Sequence, residues 1–362
     1  MKTVLLVSFG YLLLLLPAVL HAQSYVWAKS PAGMGSDNGQ SIALDASGNV
    51  YSTGHFQSTV DFDPGTGTAN LTSSGNDDIF VLKLNSSGDY VWAKKIGGSS
   101  FDKAYSIAVD NNGYSYITGY FTGTVDFDPG SNSFTLSTGN IYWDAFVLKL
   151  DPQGNFVWAK QITQSIGQHN EVSLSIAIDA SGNVFTTGYF TDSTDFDPGP
   201  DTYYLYPDAN PAVFVSKLDA SGNFVWAFKI GGHNSNSGNA IKTDNYGNVY
   251  VAGYFYGTGD FDPGTGVFNL SSVALRDIFV AKYSSTGNFI WAKAITRVTG
   301  SYYNEAYALA IDGTGNVLVT GSFSGTVDFD PGAGTYPVTS SGSNSDDVFV
   351  LKLVSCQFNI VC

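Results

Sequence analysis

One pattern recurs along nearly the whole chain and decides what it can fold into. A Val-Trp-Ala-Lys run or a close variant places tryptophans at Trp27, Trp92, Trp158, Trp226 and Trp291, at spacings of 65, 66, 68 and 65 residues. Asp-Phe-Asp-Pro-Gly begins at Asp61, Asp126, Asp195, Asp260 and Asp328. A third run, apolar-Phe-Val-x-Lys, has its phenylalanine at Phe80, Phe146, Phe214, Phe279 and Phe349. Three independent markers each count five, so the chain is an array of similar units that bury their apolar faces against one another. The units are not helical. Glutamate occurs only at Glu171 and Glu305, while there are 41 glycines and 15% aromatic residues, a composition that favours strands and turns.

The first unit reads as four strands. Residues 41–45 form a short apolar strand, and Asp45-Ala46-Ser47-Gly48-Asn49 a turn, since Asp bonds the backbone ahead and Gly takes positive φ freely. Residues 50–56 are the second strand, 79–84 the third and 90–94 the fourth, with a tight turn at 85–88. Between the second and third lies an insert of about twenty residues whose two alternating stretches flank Pro64-Gly65-Thr66-Gly67, an extra hairpin. Four strands per repeat is the make-up of a propeller blade.

The array begins with an isolated fourth strand, 25–29, and ends with a third strand, 348–353, that has no fourth after it. Pairing these two would complete a fifth blade and remove both open edges. An open solenoid would need capping repeats, and none is visible. The expectation is a single five-bladed β-propeller over residues 23–355, followed by a short tail at 356–362.

The run Ile176-Ala177-Ile178-Asp179-Ala180-Ser181-Gly182-Asn183-Val184-Phe185-Thr186-Thr187-Gly188, with the Phe-Val-x-Lys-Leu and Trp-Ala-Lys strands after it, resembles the bacterial SBBP-type β-propeller repeat. The resemblance covers about residues 25–353. That family is named for seven blades, and five are counted here. It implies a propeller fold and an exported protein, and no particular reaction.

Export is also legible at the N-terminus, where Lys2, an apolar run over 4–20 and the small residue Ala22 form a signal peptide, residues 1–22. No membrane span is expected once it is removed. The two cysteines, Cys356 and Cys362, would then meet oxidising conditions, but a bridge between them closes too small a loop to staple the fold. With 16 Lys+Arg against 31 Asp+Glu the net charge is −15, which argues against nucleic acid as a partner.

In a propeller the first–second and third–fourth turns share one face, and here they are short Asp-x-x-Gly-Asn turns or similar. The opposite face carries the five inserts and the variable connections 30–40, 97–103, 163–172, 231–238 and 296–304, so any site is expected there. Within Asp-Phe-Asp-Pro-Gly the two carboxylates fall on one side of an extended segment. The pairs Asp61/Asp63, Asp126/Asp128, Asp195/Asp197, Asp260/Asp262 and Asp328/Asp330 are therefore candidate Ca²⁺ ligands. The competing use is capping of the Pro-Gly turn through side-chain to backbone hydrogen bonds. The Trp and Phe markers read as packing between blades. Lys83, Lys149, Lys217, Lys282 and Lys352 read as stems on the sheet with their charges in water or beside an Asp. His55 stands where other repeats have Tyr120, Tyr189 and Tyr254, and reads as a packing substitute.

Catalysis needs dissimilar groups that converge once, so enzyme candidates lie where repetition fails: His169, Glu171, His233, Arg276, Arg297 and Glu305. No spacing of nucleophile, base and orienter is recognisable among them, and solvated loop positions are the blander reading. The expected function is a non-enzymatic, monomeric binding scaffold, secreted or on the surface of a bacterium, for a glycan, a protein or a surface. The alternative is a glycoside hydrolase or lyase built from the unrepeated loop residues.

Overall fold

A computed structural model of the chain describes residues 25–354 apart from 166–168, 209, 274, 300–302 and 343–344. The expected signal peptide, residues 1–22, and both cysteines lie outside the described residues. The described residues contain no α-helix, and the fold is all β with a propeller-like repeat.

Each sequence repeat folds into its own antiparallel sheet of strands in chain order. The first joins Asn38–Leu44, Val50–Phe56, Asp78–Leu84 and Tyr90–Ile96, close to the strands read from the sequence. The second joins Lys103–Val109, Ser115–Thr122, Trp143–Leu150 and Phe156–Gln161, and the third Val172–Ile178, Val184–Phe190, Ala212–Leu218 and Phe224–Ile230. The fourth joins Ser237–Thr243, Val249–Phe255, Asp277–Tyr283 and Phe289–Thr299. The last has three strands, Glu305–Ile311, Val317–Phe323 and Asp347–Leu353. Each insert forms the expected hairpin, Thr59–Asp61 with Asn70–Thr72 in the first repeat.

Local chemistry explains the turns. Asp45 accepts the Ser47 and Asn49 amides at Oδ1 (2.9 and 3.0 Å) and the Asn49 side chain at Oδ2 (2.7 Å), while Gly48 takes φ 75°. A glycine in the second strand has a different cause. The first strand carries a bulge opposite it, so a Cβ at Gly188 would lie 1.9 Å from the Val172 carbonyl oxygen.

Apolar clusters form between successive sheets; Ile79 and Val81 of the first, for example, pack with Ile107, Ile117 and Phe146 of the second. The Trp and Lys markers lock these interfaces by hydrogen bonds. Trp92 Nε1 donates to the Pro152 carbonyl in the turn of the next repeat (3.1 Å), and Trp226 Nε1 to Ser285 (3.4 Å). Lys83 Nζ and Lys217 Nζ reach the same two carbonyls at 3.2 and 2.9 Å. These two lysines are thus buried clamps between repeats rather than stems with solvated charges. Lys83 also lies over the Tyr51 ring (4.7 Å) and 3.8 Å from Asp45.

The two ends of the array depart from the expectation. Residues 25–29 form no strand and are not paired with Asp347–Leu353. Ala32–Gly33 pairs instead with Thr59–Asp61. The side of the first sheet that would meet a preceding repeat is open: Ile42 is 68% exposed, whereas its counterparts Ile107, Ile176 and Ile241 are buried. The side of the last sheet that would meet a following one is open too, with Val348 and Val350 at 75 and 77% where Ile79 and Val81 are buried. Trp27 nevertheless occupies the socket that Trp92 occupies one repeat later. Its Nε1 donates to Ser86 (3.4 Å) and its ring lies over Gly88.

Candidate functional site

Residues that break the repeat gather at one cleft on the face that carries the variable connections. The cleft, about 500 Å³, is lined by His169 and Asn170, by Tyr189 and Tyr254 from equivalent places in two second strands, and by Ser235 and Arg276. Arg276 is held between two rings, its guanidinium carbon 4.2 Å from the centre of Tyr254 and 4.6 Å from that of Tyr303. Its Nη1 donates to Glu305 Oε1 and its Nη2 to Ser235 Oγ (3.2 Å). Three connections from successive repeats are therefore tied through one guanidinium. His169 Nε2 sits 3.7 Å from Asp192 Oδ2. Burial, with the neighbouring Tyr105, Tyr254 and Glu171 adding, pushes the Tyr189 phenol up to about 12, so it stays a neutral hydrogen-bonding group.

Of the six unrepeated candidates, His169 and Arg276 line this cleft and Glu305 pairs with Arg276 beside it. His233 is exposed elsewhere, and Arg297 is buried. Glu171 is not the solvated loop residue that the sequence implied, because it is wholly buried. Its place is explained by the repeat. Asp37, Asp102, Asn236 and Asn304 occupy the equivalent position, and each accepts the backbone amide that ends a second strand, from Gln57, Thr122, Tyr256 and Ser324. Opposite them lie Asp78, Asp144 or Asp277, at the first or second residue of the third strands. In the fourth repeat Asn304 Nδ2 donates to Asp277 Oδ1 (3.1 Å). At the interface of the second and third repeats both members are acids. Burial first, and then each other's proximity, raises Glu171, and burial raises Asp144 against the hydrogen bond from Gln161. The two carboxyls share a hydrogen bond, and the Thr191 amide works the other way by favouring the charged form of Glu171. Asp102 is likewise raised, to about 6, by burial and by Asp78 and Asp77 against the Gly98 and Thr122 amides. Writing the five connections in register would have exposed this position, since Asp, Glu and Asn share a length-tolerant acceptor role.

His55, at the place of the tyrosines, is buried with Nε2 3.3 Å from Asn38 Nδ2. Burial and Lys103 hold its imidazole below the usual range, in keeping with a packing role.

The ten aspartates of Asp-Phe-Asp-Pro-Gly make the same bonds in every repeat. Asp61 Oδ1 accepts the amides of Asp63 (3.0 Å) and Ala69 (2.8 Å), and Asp63 Oδ1 that of Gly65 (2.8 Å). Asp126 and Asp128, Asp195 and Asp197, Asp260 and Asp262, and Asp328 and Asp330 repeat this pattern. All five motifs thus cap their turns in the same way, and among the described residues no group of three or more His, Cys, Asp or Glu side chains gathers around a common point. Amide bonds from Phe134 and Asp128 outweigh burial and hold Asp126 below the usual carboxylate range. Asp126→Ala is therefore expected to cost about 1–2 kcal/mol by leaving turn amides unpaired, measured by denaturant unfolding. If capping is the whole role, melting curves with excess Ca²⁺ and with chelator will superimpose.

These features define an all-β protein of propeller-like repeats with one unrepeated cleft. Residues 91–124 match the SBBP family model, a beta-propeller repeat. It is 26% identical over 368 aligned residues to the uncharacterized WD repeat-containing protein L264 of Acanthamoeba polyphaga mimivirus, covering 85% of this chain and 26% of that protein. It is 27% identical over 150 residues to the regulatory protein FlaEY of Caulobacter vibrioides, covering 41% of this chain and 15% of that protein. The chain thus spans about a quarter or less of these relatives. A solved structure from Bacteroides caccae, of a protein of unknown function, aligns over 71% of this chain and 82% of its own at 10% identity. Its TM-score is 0.27, too distant to bear on the fold.

Proposed function

We propose that the chain is an exported, non-enzymatic five-bladed propeller, a monomer secreted by or displayed on a bacterium, whose cleft beside Arg276 binds an extracellular partner. The observation that carries the binding reading is the convergence of His169 and Arg276, neither of them repeated, on one cavity, with the unrepeated Tyr303 stacked on the Arg276 guanidinium beside it. Closure of the ring is supported by Trp27 in its socket on the first repeat and by the two complementary open sheet sides. Export rests on Lys2, the apolar run over 4–20 and Ala22.

The enzyme alternative would have to rest on His169, which lines the cleft 3.7 Å from Asp192. Asp144 and Glu171 form the acid pair that glycoside hydrolysis would call for, but both are buried, and Glu305 is engaged by Arg276. Calcium enters only as the alternative use of the Asp pairs. Immobilised cellulose, chitin, alginate and gelatin provide the test. At least one is expected to retain the mature chain without being turned over, and Tyr303→Ala should abolish retention. Release of soluble products from the retaining polymer would replace the scaffold with an enzyme, and retention by none would overturn the binding reading.

A further inference from the structure

We infer that the cleft between Tyr189 and Arg276 takes a neutral oligosaccharide, one chain of sugar per protein; this rests on the binding reading above and narrows it. Charge selects against an ionic ligand. Arg276 is neutralised by Glu305, His169 faces Asp192, and the whole chain carries a charge of −15, so an anion meets no free cation here and strong repulsion on approach. A cation would have to displace Arg276 from between its two tyrosines.

Polarity selects against a wholly apolar ligand. Asn170 lines the cleft and accepts the Trp143 amide at Oδ1 (3.1 Å), which commits its oxygen and leaves the NH₂ group to donate. Ser235 Oγ, already accepting from Arg276, keeps a proton to donate. Covering these groups with hydrocarbon would leave them unpaired in a desolvated site, at a cost greater than the contact returns. Yet the cleft also presents the rings of Tyr189 and Tyr254, and Tyr303, half exposed, lies against Arg276 at its side. A pyranose answers both demands, because its ring carries C–H groups that lie on an aromatic face and hydroxyls around the edge that reach the polar rim. A cavity of about 500 Å³ is ample for a short oligosaccharide. The repeated positions do not reproduce the whole set: Tyr120 and Tyr189 repeat the tyrosine pair, but Trp143 stands there in the place of Arg276, and His55 and Ser322 replace the tyrosine in the first and last repeats. One site per chain follows.

The test is calorimetric titration of the mature chain with cellohexaose, maltohexaose, chitohexaose and a sulfated heparin hexasaccharide. One neutral hexasaccharide is expected to bind at a stoichiometry near one. Tyr189→Ala and Tyr303→Ala should each weaken it at least tenfold, Tyr189→Phe should keep it within about threefold, and Tyr246→Ala, an exposed ring on the opposite face, should leave it unchanged. If Tyr189→Ala fails to fold, Tyr303→Ala carries the comparison, its ring being half exposed. Binding by none of the neutral sugars, or binding that neither tyrosine variant weakens, overturns the inference. Tyr303-dependent binding of the sulfated sugar, or of a peptide, would overturn the neutral-sugar class while leaving the cleft as a binding site.

Discussion

Removal of residues 24–30 is expected to lower the melting temperature by on the order of 10 °C and to promote association. The reason lies in how successive repeats are locked. Trp92 and Trp226 each drop an indole N–H onto the carbonyl of the following repeat's last turn, with a glycine beneath the ring. Trp27 makes the same bond to Ser86 over Gly88, so it does for the first repeat what the missing fourth strand of the last repeat would do. Losing a large aromatic anchor from such a socket costs roughly 3–5 kcal/mol, and each kcal/mol moves a domain of this size by about 2–4 °C. Association follows from the edges. In the proposed closed ring this segment covers the open side of Asp347–Leu353, so its loss leaves Val348 and Val350 bare for good, which is how open strands recruit other chains. Trp27→Ala should reproduce most of the thermal loss. A deletion variant that melts like the parent and stays monomeric by size-exclusion chromatography would show that the ring does not close through this segment.

Strand positions were legible in the sequence because three markers repeat in phase, and tight Asp-Gly turns punctuate them. The same repetition made the cleft hard to read. Sequence reasoning looked for chemistry where the pattern fails and so named His169, Arg276 and Glu305, but the tyrosines beside them belong to the pattern and passed as packing. Glu171 failed for the opposite reason. It sits in a variable connection and looked solvated, although it fills a fixed acceptor position shared with Asp102 and Asn304. The pairing of residues 25–29 was inferred from strand count alone, and count does not set backbone geometry. What survives at that end is the tryptophan, whose indole needs a carbonyl and a glycine rather than a ladder.

Glu171→Gln is expected to stabilise the protein above neutral pH and to leave it nearly unchanged near pH 5. In the native state burial and Asp144 raise the Glu171 carboxyl, and Asp144 is raised with it. The native state therefore holds protons that the unfolded chain has released above about pH 4–5. Stability must fall as pH rises from the unfolded values through the native ones, because folding then requires proton uptake. Glutamine removes this dependence and has a working precedent within the same chain: at the equivalent interface Asn304 donates its amide to Asp277. The gain at pH 9 should be on the order of 2 kcal/mol, a discount on the roughly 1.4 kcal/mol that each pKa unit represents, since the two acids share their protons. Asp102, raised to about 6, supplies an internal control, because its own loss of stability between about pH 4 and 6 should persist in the variant. Melting temperatures of the two proteins from pH 5 to 9 should thus run together at the acid end and diverge upward from neutrality. Parallel curves would mean that Glu171 does not keep its proton in the fold, and that the interface of the second and third repeats holds two charges by some other compensation.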